Sequence, residues 1–271
     1  MRIVVLTTND FFSHFFLFRF IQAYRKNIIG IFVEPASVKK AGPVKIFFLI
    51  WRSSGWRYAF YGAAEAIWYT VILTVKRFFE ISRVGDFRYA ADVHEVPVER
   101  IHNANHPEFL EKLRRLQPDL LLLVRYNRII RKAVVETPKI AALNIHVGLL
   151  PKYRGLAPTA NAMMRGEKCA GASLHKVDSE IDRGGIIGSA LVPIHYDESL
   201  LINQYRVILS ASRLLIDLFR DILRTGKIAA APQPPTGDYF HWPSREHVAS
   251  FRKSGGKLLR FQDLFFLWRN L

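Results

Sequence analysis

The sequence predicts an α/β fold: an open, mostly parallel twisted sheet with helices on both faces, followed by a short C-terminal extension. Three observations carry this reading. The chain opens as strand, helix, strand. Arg2–Thr7 is a short run rich in β-branched residues, Phe11–Arg25 has a helical pattern, and Asn27–Val33 (NIIGIFV) is a second apolar run closed by Glu34-Pro35. Asp119–Val124 (DLLLLV) is apolar throughout over the length of a strand, as a central parallel strand covered on both faces requires. Leu200–Arg224 is the clearest amphipathic helix in the chain.

The other elements follow in order. Residues 45–81 read as mostly helical, unusually aromatic and basic. Glu95–Val98 is a candidate short strand, and His106–Leu116 a helix with Pro107 in its first turn, where a missing N–H costs little. Ile129–Glu136 begins another helix. Ala141–Ile145 is a further strand that sets Asn144 and His146 at its carboxyl end, where open α/β sheets place their ligands. By the same rule the Thr8-Asn9-Asp10 turn faces a site, so Thr8 and Asn9 are candidate substrate contacts; a plain polar turn reads equally well. Thr159–Arg165 reads as helix, Ala172–Val177 and Gly188–Pro193 as strands. After Gly226 comes the Pro-rich passage APQPPTGDYFHWPS and a short basic tail. The chain thus divides into residues 1–225 and an extension, 226–271.

Half of the 271 residues are hydrophobic, ample for a core, and the formal charge of +16 favours anionic company: phosphates, nucleic acid or an acidic membrane surface. The single cysteine, Cys169, excludes an internal disulfide and any cysteine-built metal site, and fits a reducing compartment. The opening MRIVVLTTND is too briefly apolar for a signal peptide, so a cytoplasmic protein is expected. Ala59–Val75 falls short of the ~20 apolar residues of a membrane span. It carries Glu65 and is flanked by Arg52, Arg57, Lys76 and Arg77, which suits a helix lying on the inner membrane surface or packed on the core, or facing a second copy in a homodimer.

Chemistry concentrates in three places. Asn144-Ile145-His146 puts an amide and an imidazole on one side of an extended segment, because strand side chains alternate. Two such donors can stabilise an oxyanion forming on a carbonyl carbon. Val177–Gly185 (VDSEIDRGG) offers a carboxylate, Asp182, before two glycines that permit close backbone approach. Lys152, Tyr153 and Arg154 lie in a stiff loop, LLPKYRG, with two cations suited to an anionic substrate. Spacing alone does not bring Asp182 to His146, and residue types alone give an α/β enzyme candidate with a candidate Asn/His/Asp site.

LNIHVGLLPKYRGLAP followed by SLHKVDSEIDRGGII resembles the folate-dependent formyltransferases, the group of glycinamide ribonucleotide, methionyl-tRNA and sugar N-formyltransferases. Asn-X-His, Leu-Leu-Pro-X-Tyr-Arg-Gly and Asp-X-Gly occur in the order and spacing of that family. The resemblance runs from Met1 to about Pro193 and implies a Rossmann-like formyltransferase fold over residues 1–225. It implies Asn144, His146 and Asp182 as the catalytic trio. It also implies that no metal is needed, and 10-formyltetrahydrofolate as co-substrate, held by Arg128, Ile129 and Ile130 with Leu150 opposite and the Val177–Ile181 loop, including Glu180, closing over the pterin. Departures are Val147 and Gly148, where relatives have Pro or Gly and then Ser, and a more basic pterin edge at Arg125, Asn127 and Arg131.

The resemblance leaves the amine acceptor open. The chain after Val192 is too short for the C-terminal domain of methionyl-tRNA formyltransferases, so nucleic acid is not favoured. An anionic small-molecule amine, a nucleotide-linked amino sugar, is expected; Tyr239-Phe240 with Trp242-Pro243 would give it a stacking wall, or simply pack. Methionyl-tRNA, a lipid-linked amino sugar, and a non-catalytic relative that binds folate or a partner stay as alternatives.

Overall fold

The structure is a computed structural model that describes residues 1–35, 42–78 and 94–270. In chain order the elements are β1 (Ile3–Asn9), α1 (Phe11–Tyr24), β2 (Ile28–Pro35), α2 (Pro43–Ser54), α3 (Trp56–Phe78) and β3 (Val98–Arg100). Then come α4 (Pro107–Leu116), β4 (Leu120–Val124), α5 (Lys132–Val135), β5 (Ala141–His146), β6 (Tyr153–Gly155) and α6 (Pro158–Met164). The chain ends with β7 (Cys169–Lys176), β8 (Ile186–Pro193), α7 (Leu200–Thr225), β9 (Asp238–Phe240), α8 (Arg245–Lys253) and α9 (Phe261–Asn270).

Seven strands form one sheet in the order β3-β2-β1-β4-β5-β7-β8. The first five run parallel, β7 pairs antiparallel with β5, and β8 pairs antiparallel with β7. This is the predicted open α/β sheet. Strand alternation divides its side chains between two cores. Ile3, Val5, Leu120, Leu122, Leu143 and Ile145 face α1, α3 and α7. Val4, Leu6, Leu121, Leu123 and Ala142 face α4 through Phe109 and Leu113. The continuous run Leu120–Val124 is wholly buried because both of its faces are covered. Helix α7 lies across the first face, where Phe219 meets Phe20 of α1 edge to face at 5.0 Å.

Several boundaries differ from expectation. β1 continues through Thr8 and Asn9, which pair with Glu34 and Pro35 of β2, so the polar turn begins only at Asp10. The short strand expected at Glu95–Val98 lies at Val98–Arg100, where β2 has an edge to pair with. The helix expected over Ile129–Glu136 is a single turn, because the stretch before Lys132 is held extended by Asn105. Residues 79–81 of the expected helical segment lie outside the described residues. After Gly226 the chain is tied back to the sheet domain: Ala231 bridges Ile186, β9 pairs with β6, Lys257 bridges Ser199, and α8 packs on α2 and α6.

Candidate active site

The pairing of β5 with β7 builds the site. It sets Asn144 opposite His175 and His146 opposite Ser173. Ser173 Oγ donates to the Gly148 carbonyl at 3.0 Å and accepts from Leu150 N at 3.1 Å, which holds the loop after His146 against β7. Beyond β7 the chain folds back tightly. A Cβ at Gly184 would lie 1.9 Å from the Lys176 carbonyl oxygen, so only glycine fits there. Asp182 takes a left-handed φ of 54°, and its carboxylate turns toward the ends of β5 and β7.

Asp182 is the hub. Its Oδ2 accepts from Gly155 N at 2.9 Å and lies 3.7 Å from His146 Nδ1. Its Oδ1 lies 3.6 Å from His175 Nε2 and 3.4 Å from Asn144 Nδ2. Burial works against its charge, yet the neighbouring His146 and His175 rings and the hydrogen bond from Gly155 N together hold its carboxyl well below the usual range. His146 donates through Nε2 to the Tyr153 carbonyl at 2.7 Å, so both of its ring nitrogens face oxygen acceptors. His175 Nδ1 donates to the Lys176 carbonyl at 2.7 Å, which leaves Nε2 to accept from Asn144 Nδ2 at 3.0 Å.

His175 is a site residue that the sequence reading missed. Its only signal was the alternation of Ser173 and His175 along β7, which becomes informative once the register opposite Asn144 is known.

The structure brings the predicted trio together and places the other predicted residues as follows. Ile130 and Val177, half-buried, both pack on the core around Leu123, Val134 and Ala142, and Leu150 is buried. Asn105 clamps the first of these segments by donating to the Ile129 carbonyl and accepting from Arg131 N. Arg128 Nε pairs with the buried Glu34 at 2.8 Å, which also accepts from Ala104 N and Tyr126. Ile129 and Glu180 point to solvent, Glu180 beside Arg183. Lys152 and the Tyr153 hydroxyl both donate to Glu167, and Arg154 donates to the Gly237 carbonyl at 2.6 Å. Of the aromatic segment, Phe240 is buried against Tyr153 and Trp242 packs toward Tyr58. Tyr239 stays partly exposed beside Gly155, close enough for Asp182 to raise its pKa further above the increase caused by burial.

At the end of β1 the charges are already matched. Thr8 is buried, and Asn9 Oδ1 bonds His14 Nε2 at 2.8 Å. Asp10 caps α1 by accepting from Ser13 N and Oγ, and pairs with Arg125 Nε at 3.0 Å. Glu65 of α3 faces the same cluster. Burial pushes its carboxyl up to about 7 against the pull of Arg125, with Asp10 adding to the rise. Among the described residues, no group of three or more His, Cys, Asp or Glu side chains is disposed to hold a metal ion.

Fold and site together define an α/β protein with an amide, two imidazoles and one ionised carboxylate gathered where the last parallel strand meets the antiparallel edge. The family profile described as formyl transferase matches residues 61–217, more than half of the chain, and the chain belongs to that family. The methionyl-tRNA formyltransferase of Chloroflexus aggregans is 40% identical over 107 residues, 40% of this chain and 35% of that protein. That of Kosmotoga olearia is 32% identical over 146 residues, 54% of this chain and 47% of that protein. The matched region thus spans less than half the length of these curated relatives. Solved structures share the fold. A phosphoribosylglycinamide formyltransferase from Anaplasma phagocytophilum superposes with a TM-score of 0.59 at 17% identity, covering 89% of this chain and 99% of that one. A sugar N-formyltransferase from a Shewanella species gives 0.58 at 15% identity, covering 93% and 87%.

Proposed function

We propose that the chain transfers a formyl group from 10-formyltetrahydrofolate to the primary amine of a small anionic acceptor, a nucleotide-linked amino sugar. The observation that carries this reading is the convergence of Asn144, His146 and Asp182 across β5 and the loop after β7. The residues beside that trio suit a flat heteroaromatic ring: Leu150, Ile130 and Val177 give apolar side chains on segments held by Ser173 and Asn105. The folate supplies a formyl carbon that is already activated, so the chain's part is to orient groups and handle charge.

The 3.4 Å contact from Asn144 Nδ2 to Asp182 is near the limit of a hydrogen bond, so that N–H is the one a developing oxyanion can claim. His175 keeps the other amide proton at 3.0 Å and fixes the amide plane. His146 presents its imidazole beside the oxyanion, held by its Nε2 hydrogen bond to the Tyr153 carbonyl. A proton lost by the attacking amine passes at the His146 Nδ1 edge, 3.7 Å from Asp182, and would be returned to the folate nitrogen as that nitrogen's bond to the formyl carbon breaks. Tyr239, partly exposed beside Gly155, is the surface for a sugar or base ring.

A second reading, methionyl-tRNA as acceptor, is favoured by the identity with the Chloroflexus protein. One experiment separates them. Purified protein and 10-formyltetrahydrofolate are offered nucleotide-linked amino sugars, glycinamide ribonucleotide and methionyl-tRNA, and tetrahydrofolate release is followed. Release is expected with an amino sugar and is expected to fall by about 10²–10⁴ in Asn144→Ala and His146→Ala. Release unaffected by both substitutions would remove the catalytic assignment.

A further inference from the structure

We propose that the α2–α3 hairpin docks the protein on an anionic phospholipid surface. Helix α2 buries Ile50 and Ser54 and turns Val44, Phe48 and Trp51, spaced i, i+4, i+7, to solvent. Helix α3 buries Tyr58, Ala59, Tyr61 and Ile72 and exposes Trp56, Phe60, Ile67 and Val71 along one face. That row extends about 22 Å. The two rows form one surface. Phe47 touches Phe48, Trp51 and Phe60 edge to face, Phe48 stacks on Trp51, and Trp56 meets Phe60. Four of these rings, those of Phe48, Trp51, Trp56 and Phe60, are 39–56% exposed, too much apolar surface in one place to be incidental. The hairpin is fixed to the body, since Arg245 donates to the Trp51 carbonyl at 3.0 Å and α8 packs on α2.

Charge selects the occupant. Lys45, Arg52 and Arg57 are exposed within this surface, with the Arg57 guanidinium 4.9 Å above the Trp56 ring. The only acid between Pro43 and Phe78 is Glu65, which is drawn inward to Tyr61 and Arg125. Exposed tryptophans next to arginines in an apolar face match the boundary between headgroups and acyl chains. A second copy would set the same cations facing a surface whose helices, between Pro43 and Phe78, carry no acid except the inward Glu65 to pair them. A nucleic acid would leave Val44, Leu49, Ile67 and Val71 against phosphate or water. None of the described helices is long and apolar enough to cross a membrane, so the hairpin lies in the surface.

The test uses the full chain with phosphatidylcholine vesicles, with and without phosphatidylglycerol, followed by flotation and by quenching of tryptophan fluorescence with acyl-brominated lipid. Binding is expected to be at least ten-fold tighter with phosphatidylglycerol, to be reversed by high salt, and to be accompanied by quenching. Trp51→Ser/Trp56→Ser is expected to abolish most of the quenching and weaken binding ten-fold or more. Lys45→Gln/Arg52→Gln/Arg57→Gln is expected to remove the preference for anionic lipid; should the tryptophan variant fail to fold, this charge variant decides alone. Absence of flotation on anionic vesicles overturns the proposal. So does binding that both variants leave intact, or a concentration-dependent dimer that the tryptophan substitutions dissolve.

Discussion

Glu65 makes the fold's stability depend on pH in a direction opposite to most carboxylates. Its pKa rises from an ordinary 4.5 to about 7 because burial disfavours its charge, while Arg125, which pulls the other way, is already paired with Asp10. The folded state therefore holds a proton that the unfolded chain releases. The resulting stabilisation is fully present below about pH 4.5 and is lost as pH rises through about 7. Its size, from 4.5 to about 7, corresponds to about 3 kcal/mol. Glu65→Gln keeps a partner for Tyr61 and removes the ionisation. Urea unfolding of the parent and of Glu65→Gln at about pH 4.5 and pH 8.5 isolates it, since other titrating groups cancel in the difference. With a slope of about 3 kcal/mol per molar urea, the midpoint of the variant should gain about 1 M on the parent between the two pH values. A midpoint difference that stays the same at both would refute the burial argument.

Two further outcomes follow from the site. Asp182 has its folded pKa depressed, so it contributes stability above its ordinary 3.8 that is lost as pH falls further; Asp182→Asn should flatten the acid limb of the unfolding profile below about pH 4, and a limb as steep as the parent's would contradict it. A Cβ at Gly148 would lie 2.5 Å from His146 Nε2 and 2.6 Å from the Tyr153 carbonyl oxygen. Gly148→Ser should therefore break that hydrogen bond, shift the His146 ring resonances, and cost about 1–3 kcal/mol of stability; unchanged resonances and midpoint would show the loop yields freely.

The sheet was legible because its strands announce themselves physically. Leu120–Val124 is apolar at every position since both faces are covered, and the bounds of the strand after it set Asn144 and His146 at its carboxyl end, with alternation putting both on one face. The meeting of Asp182 with His146 was not legible in the residues. It depends on antiparallel pairing of β7 with β5, on a fold-back that Gly184 permits, and on a left-handed Asp182, none of which spacing encodes; only the resemblance to a family supplied it. His175 was missed for the same reason, since a histidine on a strand acquires meaning from its cross-strand partner. Gly148, noted as a departure from relatives, has a local cause here: His146 occupies the space a side chain would take.

The β1–α1 turn bears on how an acceptor can approach. In open α/β folds this turn faces ligand, and a helix N-terminus favours an anion through its free N–H groups. Here Asp10 is that anion: it accepts from Ser13 N and Oγ and is neutralised by Arg125. An acceptor phosphate entering this place would have to displace Asp10 from both partners while meeting Glu65, whose own charge burial already disfavours. The +16 charge of the chain is therefore not focused on this turn. On the other side of the trio, Tyr239 of β9 lies partly exposed beside Gly155 and near Asp182. On the proposed function, an acceptor entering there would be recognised through its ring at Tyr239, with its amine directed toward Asp182 and His146. Substitution of Tyr239 should thus raise KM for the acceptor with less effect on kcat, whereas Asp10→Asn should leave acceptor KM unchanged.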